Sequence, residues 1–367
     1  MMAYSTTCRQ IQYLWQINNE KQIILSKSNP EPQEHNKSCK HNDSRNQNHN
    51  QNRVADSSSR ENERAITVLQ KDQDVSDNDD LVVIYNKVPK TGSTTLAGMA
   101  YQLCQENRFN VIMINTTGRS HKVFLSDQMR FITNITSWTE KKPVLYHGHV
   151  AFIDFSRFGV LKKPIYINMV RNPLNRLLSF YYFVRYGDDI DPTRKRRKSG
   201  NNETFDECVR RNGEDCDPEK LWVQIPFFCG QNAECAVPGS RWALEQAKHN
   251  LIHHFLVVGV TEELGDFIAV LEAILPRMFR GAVGRFASDS ISHLRKTTKK
   301  IAPKPDTLAR IQESPIWRME NEFYDFAVQQ FHYVKDQTFD LVDGKYIEKR
   351  NPLTYAKLWP DNVAVIT

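Results

Sequence analysis

From residue 81 onward, short apolar runs rich in β-branched residues take turns with stretches of helical period; ahead of residue 81 neither rhythm is present. The runs at 81–85, 111–114, 144–150, 165–170 and 256–260 read as buried strands. Leu96, Met99, Ala100 and Leu103 fall at i, i+3, i+4 and i+7, predicting a helix over 93–106. Ser126 and Asp127 are placed to cap a helix reaching Ile135, and further helices are predicted over 174–186, 241–254, 261–275 and 314–333. Strands alternating with helices predict an α/β domain, a central parallel sheet covered by helices on both faces. In such a sheet ligands bind at the carboxyl ends of the strands, where Lys90 and Arg171 would project. No internal repeat is visible.

The chain has 367 residues, and its apolar content is unevenly spread. Residues 1–80 are dominated by Asn, Gln, Ser, Lys, Glu and Asp, too polar to offset their ordering entropy by burial. They are expected to form a disordered, stem-like segment, followed by one domain over 81–340 and a tail over 341–367. The formal charge of +6 says less than its clustering. Residues 194–198 read RKRRK and 293–300 read HLRKTTKK. Two such blocks imply a polyanion, whether nucleic acid, membrane surface or acidic glycan; a single block is more often a solvated loop.

The strand over 81–85 runs into Lys90-Thr91-Gly92-Ser93-Thr94-Thr95 and then a helix. That order describes a phosphate-holding strand–loop–helix: amide N–H groups at a helix start point at an anion, and the lysine adds a full charge. The nucleotide triphosphatase loop places its lysine after the glycines. Here Lys90 precedes Gly92, which points to a different donor. A nucleotide kinase is disfavoured by the same order and by the lack of an evident magnesium-binding carboxylate motif.

His147-Gly148-His149 ends another β-rich run, and positions two apart in a strand share a face, so both rings are expected to line one cleft. An isolated H-x-H is more often a surface or hydrogen-bonded pair, and no third metal ligand stands nearby. Its company beside a phosphate loop and Arg171 favours a base that takes a hydroxyl proton near neutral pH. Arg171 and Ser179, at a strand end and on the next helix, could jointly grip a phosphate. Tyr181, Tyr182 and Phe183 read as core or helix-packing residues.

Of seven cysteines, Cys208 and Cys216 are spaced C-x7-C, and Cys229 and Cys235 C-x5-C. Neither spacing suits zinc; two local disulfides fit better and imply an oxidising compartment. Sequons begin at Asn115, Asn134 and Asn202. The N-terminal region nevertheless shows no signal-peptide core, and no stretch approaches the ~20 apolar residues a membrane helix needs.

The blocks VVIYNKVPKTGSTT, INTT, NITSW, YHGHV, KKPIYIN, DECV, PEKLW, QIPFFCG, VGVTEELGDF and SHLRKTT follow one another in an order and spacing that resemble the heparan sulfate 2-O-sulfotransferases, from residue 81 to the C-terminal region. The resemblance implies a P-loop-like sulfotransferase fold and the donor 3′-phosphoadenosine 5′-phosphosulfate, with no metal. It also implies a Golgi membrane protein with a lumenal catalytic domain, a homotrimer, and a heparan sulfate acceptor rather than nucleic acid. Carried over by position, Lys90, Thr91, Gly92, Ser93 and Thr94 would hold the 5′-phosphosulfate, with Lys90 on the bridging and leaving oxygens. Arg171 and Ser179 would hold the 3′-phosphate. His149 would be the base and His147 a second catalytic-site histidine. Ser292, Arg295, Thr297 and Lys300 would close over the donor, while Lys87, Arg196 and Arg197 would hold the acceptor's carboxylate and sulfates. The cysteines would pair as Cys208–Cys216 and Cys229–Cys235, and Asn115 and Asn134 would carry glycans.

Asp191 stands where relatives carry a basic residue, and Phe286 replaces a tyrosine near the donor adenosine. Two other readings share the residues: a uronyl 2-O-sulfotransferase acting on dermatan or chondroitin sulfate, and a heparin-binding module with a decayed site. The KTGST loop and HGH pair favour heparan sulfate over the first, and intact Lys90, Ser93, His149 and Arg171 argue against the second.

Overall fold

The structure, a computed structural model, describes residues 80–116, 120–188, 194–288, 297, 299–342 and 345–349. In chain order the elements are β1 (Val82–Asn86), α1 (Ser93–Leu103), β2 (Asn110–Ile114), α2 (Leu125–Ser137), β3 (Val144–Gly148), β4 (Ile165–Val170), α3 (Pro173–Tyr186), α4 (Phe205–Arg210), α5 (Gln224–Cys229), α6 (Arg241–His254), β5 (Phe255–Val260), α7 (Leu264–Ile274), α8 (Pro276–Phe279), α9 (Ala282–Ser288), α10 (Pro305–Gln312), α11 (Pro315–Thr338), β6 (Phe339–Val342) and β7 (Lys345–Glu348). The first five strands form one sheet in the order β2-β3-β1-β4-β5, and all four pairings are parallel. Strand β1 therefore has β3 on one side and β4 on the other. The chain reverses direction across it, and the crevice at its carboxyl end is a topological switch point.

The α/β expectation holds because the central strands are buried on both faces and must be apolar throughout: β3 is buried along its whole length, and β1 and β4 at all but their first residues. The main core joins these strands to α1, α6, α7 and α11, with Phe228, Phe267, Phe323 and Phe331 among its largest fully buried side chains. A smaller core packs one face of α3, through Leu177, Leu178, Tyr181 and Tyr182, against Phe205, Val209, Leu221 and Ile311. Cys208–Cys216 crosslinks this second lobe and Cys229–Cys235 lies in the main core; both disulfides are formed.

Element ends depart from the periodicity where tertiary bonds intervene. Helix α1 stops at Leu103 rather than near 106, and Asn107 instead donates to the Met278 and Arg280 carbonyls. Helix α2 starts at Leu125 without a side-chain cap, so Ser126 and Asp127 sit inside its first turn, where Asp127 pairs with Arg130 at 2.9 Å. Strand β3 ends at Gly148, not at 150, because the next amides pair elsewhere: Ala151 N donates to the His121 carbonyl and Phe152 N to that of Phe227. Helices α4, α5 and α10 and the antiparallel β6–β7 hairpin carry too short an apolar pattern to stand out in the sequence. Asn115 follows β2 and Asn134 lies within α2.

Gly148 has a steric reason. A Cβ there would overlap the Ile114 carbonyl oxygen of β2 and come within 2.6 Å of the Ile114 Cβ. Gly148→Ala is expected to cost about 1–3 kcal/mol by overpacking, read as a fall in the thermal midpoint of several degrees. An unchanged midpoint would show that β2 can move aside.

Candidate active site

The site begins where β1 ends. Asn86 and Asn168, side by side on β1 and β4 and fully buried, lock the two strand ends: Asn168 Nδ2 donates to the Asn86 carbonyl (2.9 Å) and Asn86 Oδ1 (2.8 Å). Asn86 Nδ2 in turn donates to the Phe227 carbonyl. Over residues 87–92 the chain turns sharply, with Lys90 at φ 69° and Gly92 at φ 77°. For Lys90 the left-handed conformation costs about 1–3 kcal/mol and persists only because its surroundings hold it. Left-handed turns of this kind gather successive amide N–H groups into an anion-binding concavity. Helix α1 opens directly from the loop with neither a side-chain cap nor an acidic residue in its first turn, so its dipole also favours an anion there.

Three cations converge on this crevice. The Lys90 ammonium lies 4.0 Å from the centre of the Phe183 ring, a cation–π contact with α3. Arg171, just past β4, donates through Nη1 to the Lys90 carbonyl at 3.2 Å. Burial pulls its pKa down, partly offset by Glu262, whose carboxylate lies 4.0 Å from Nε. Lys300 is also shifted down, first by loss of solvent and then by the charge of Arg171. A cation depressed by its neighbour, beside a left-handed loop at a helix start, marks a place where a bound anion would lower the electrostatic energy. Ser179 is buried on α3 one turn before Phe183, on the same face of the helix. Thr297 is half-buried, while Ser292, Arg295 and Asp191 lie outside the described residues.

The two histidines part company. His149, exposed beyond the end of β3, places Nδ1 2.8 Å from the Lys87 carbonyl. A carbonyl only accepts, so Nδ1 is the donor, and in the neutral ring this puts the lone pair on Nε2. His147 is fully buried inside the sheet, with Nε2 3.0 Å from the Tyr101 hydroxyl on α1. The expected common face is not observed, because strand alternation stops at Gly148. Burial holds the His147 pKa well below its ordinary value, and the nearby charges of Lys87 and His149 add to the effect. It is a neutral ring.

Lys87 is buried between the loop and this histidine. Arg196 reaches back toward the site, its guanidinium 4.8 Å from the Phe183 ring and its Nη2 3.3 Å from Asp188. A Cβ on Gly187 would meet Arg196 Nε at 2.8 Å, so the left-handed glycine ending α3 makes room for it. Arg197 is exposed, whereas Lys198 turns away to pair with Asp215 at 3.0 Å. Phe286 is half-buried against the main core, near Gly265.

Several residues here escape a reading of the sequence. Phe183 is not a packing residue like Tyr181 and Tyr182: it carries Lys90 and Arg196 on its ring. Thr261 places its hydroxyl between the Thr91 (2.8 Å) and Val170 (2.9 Å) carbonyls, tying the loop to β4. Gln224 and Glu262 hold Arg171. Only the i, i+4 spacing of Ser179 and Phe183 was a usable signal.

An α/β sheet with a lysine-bearing, left-handed loop at its switch point and an exposed imidazole beside it is the framework of a group-transfer enzyme. The chain belongs to the sulfotransferase family: residues 73–327 match it. Among known proteins it is 55% identical over 287 residues to heparan sulfate 2-O-sulfotransferase 1 of Gallus gallus, an alignment covering 78% of this chain and 80% of the relative. It is 54% identical over 291 residues to the Homo sapiens protein of the same name, covering 79% and 82%. The heparin sulfate O-sulfotransferase of Drosophila melanogaster is 50% identical over 280 residues, covering 76% and 79%.

Because the folded chain resists protonating His147, only the unfolded chain takes up that proton as pH falls below ~6.5. The stability tied to the neutral ring is fully present above that value and is lost on acidification. Comparing denaturant midpoints at pH 7.5 and 5.5, wild type should lose about 1 kcal/mol more than His147→Gln. Equal losses would mean the ring titrates in the folded state.

Proposed function

We propose that this chain transfers a sulfuryl group from 3′-phosphoadenosine 5′-phosphosulfate to the 2-hydroxyl of iduronate, or glucuronate, within heparan sulfate. The observation that carries the proposal is His149, just past β3, held through Nδ1 on the carbonyl of Lys87, in the loop that bears Lys90, which in the neutral ring leaves Nε2 as the base. The names of relatives at 50–55% identity support the acceptor. The donor supplies the sulfuryl group and a phosphate leaving group. Its bisphosphate character suits a crevice with one anion loop and, at the next strand end, a second cation.

In this mechanism His149 Nε2 takes the proton of the sugar hydroxyl as that oxygen bonds to sulfur and the bond from sulfur to the 5′-phosphate oxygen breaks. Negative charge gathers on the departing oxygen. Lys90 and the amides of Thr91, Gly92, Ser93 and Thr94 stabilise it, the same electrostatic logic as in phosphoryl transfer. Arg171 and Ser179 hold the 3′-phosphate, and Lys300 and Thr297, with Ser292 and Arg295, complete the donor side. Lys87, Arg196 and Arg197 take the acceptor's carboxylate and sulfates. Phe183 gives the acceptor-side Arg196 and the donor-side Lys90 a common platform. His147 stays neutral and pairs with the Tyr101 hydroxyl in the interior.

The proposal extends to a Golgi-lumenal, N-glycosylated homotrimer. The two formed disulfides support an oxidising compartment; among the described residues no helix is long and apolar enough to cross a membrane.

Incubating the purified protein with labelled sulfate donor and completely desulfated, N-sulfated heparin should yield 2-O-sulfated uronate on disaccharide analysis. Label found only at other positions would sink the assignment. His149→Ala should lower kcat by roughly 10²–10⁴-fold while calorimetry finds donor-product affinity unchanged. Near-normal turnover in that variant would remove the base.

A further inference from the structure

We propose that Gln224 and Glu320, remote from any reacting atom, form a buried relay that positions Arg171 for donor binding. The inference rests on the reading of Arg171 as a donor-phosphate ligand. Gln224 is fully buried at the start of α5, in the otherwise apolar run Ile225-Pro226-Phe227-Phe228. Its amide is used at both ends on a single residue: Oε1 accepts from Arg171 N at 2.9 Å, and Nε2 donates to the Arg171 carbonyl at 2.9 Å. One side chain thus completes both main-chain valences of the residue that leaves β4, as a neighbouring strand would. Arg171 then passes the constraint on, donating Nη1 to the Lys90 carbonyl at 3.2 Å.

Gln224 is itself held from behind. Glu320, on the long helix α11 and fully buried, accepts through Oε1 from Val223 N at 2.8 Å and Ile225 N at 3.1 Å. These are the amides of the residues on either side of Gln224, and the bond to Ile225 N holds the peptide that leaves Gln224. Helix α5 has no side-chain cap of its own, and Glu320 satisfies its first amides from outside. Burial pushes the Glu320 carboxyl up to about 7 and the charge of Arg176, also buried, works against that rise; Arg176 further anchors the preceding turn by donating Nη2 to the Lys220 and Leu221 carbonyls. The chain of bonds therefore runs from α11 through Gln224 and Arg171 to the left-handed Lys90. None of these bonds points toward the acceptor-side residues Arg196 and Arg197. A relay built this way acts on donor affinity and leaves acceptor affinity alone.

The test uses the full chain and adenosine 3′,5′-bisphosphate, the product of the proposed donor, with calorimetry for its Kd and initial rates for donor and acceptor KM. Gln224→Met, similar in shape but unable to bond Arg171, should weaken the bisphosphate about tenfold, as expected for two lost hydrogen bonds of ordinary strength. Acceptor KM should stay within about twofold. Glu320→Gln, which keeps an accepting oxygen, should bind as wild type, whereas Glu320→Met should reproduce the donor-side loss. Should Gln224→Met fail to fold, Gln224→Asn, which keeps the amide but shortens its reach, reads the same split. Wild-type bisphosphate affinity in the folded Gln224 variant, or equal losses in donor and acceptor KM, overturns the relay. Arg171→Ala separates the two levels. If that variant binds the bisphosphate normally, the reading of Arg171 falls and the relay with it. If it binds weakly while Gln224→Met does not, only the relay falls.

Discussion

Residues 87–91 would be a loose connection between strand and helix were four of their five carbonyl oxygens not taken by side chains. The Lys87 carbonyl accepts from His149, that of Val88 from Thr91, that of Lys90 from Arg171, and that of Thr91 from Thr261. With four of these carbonyls engaged, the loop's amide donors and its two ammoniums, Lys87 and Lys90, are the groups suited to an anion. The same bonds do a second job. Two of the four donors, His149 and Arg171, are the groups proposed as base and donor-phosphate ligand, so on that reading holding the loop and aiming the site are one act. The cost of a left-handed Lys90 is met by this network rather than by local preference.

The electrostatics follow from that geometry. A crevice that collects Lys90, Arg171 and Lys300 with Glu262 as a nearby acid is unfavourable when empty, and it lowers the pKa of the Arg171 and Lys300 side chains. On the proposed reading, such a site gives up folding stability to be ready for a multiply charged ligand, a common pattern where function and stability pull apart. The second lobe offsets part of this through buried contacts. It packs Tyr181 and Tyr182 beneath α3, crosslinks Cys208 to Cys216, and seats Arg185 on the Tyr181 ring while bonding it to Asp215. From that base the chain returns Arg196 to Phe183, beside Lys90.

The sheet was legible in the sequence because strands buried on both faces have to be written as continuous apolar runs, and those runs at 81–85, 111–114, 144–150, 165–170 and 256–260 lie within a few residues of the observed strands. Lys90, Arg171 and His149 could be picked out for a related reason. Each stands at a strand's carboxyl end, and a parallel sheet brings those ends together whatever the order of its strands. Helix ends were poorly legible, since Asn107 and Thr261 spend their hydrogen bonds on distant carbonyls rather than on local caps.

What local chemistry dictates, then, is the parallel sheet, the anion loop and the identity of its charged residues, because periodicity and residue type act over a few positions. The folded chain alone decides that His147 is buried and His149 open, because that depends on where β3 stops pairing. It alone joins Gln224 and Glu320 to Arg171, across 53 residues in the first case. It also turns Phe183 from a helix-packing ring into a platform for two cations. Contacts of that kind leave no trace in spacing, because they are made between surfaces that meet only after the layers have packed.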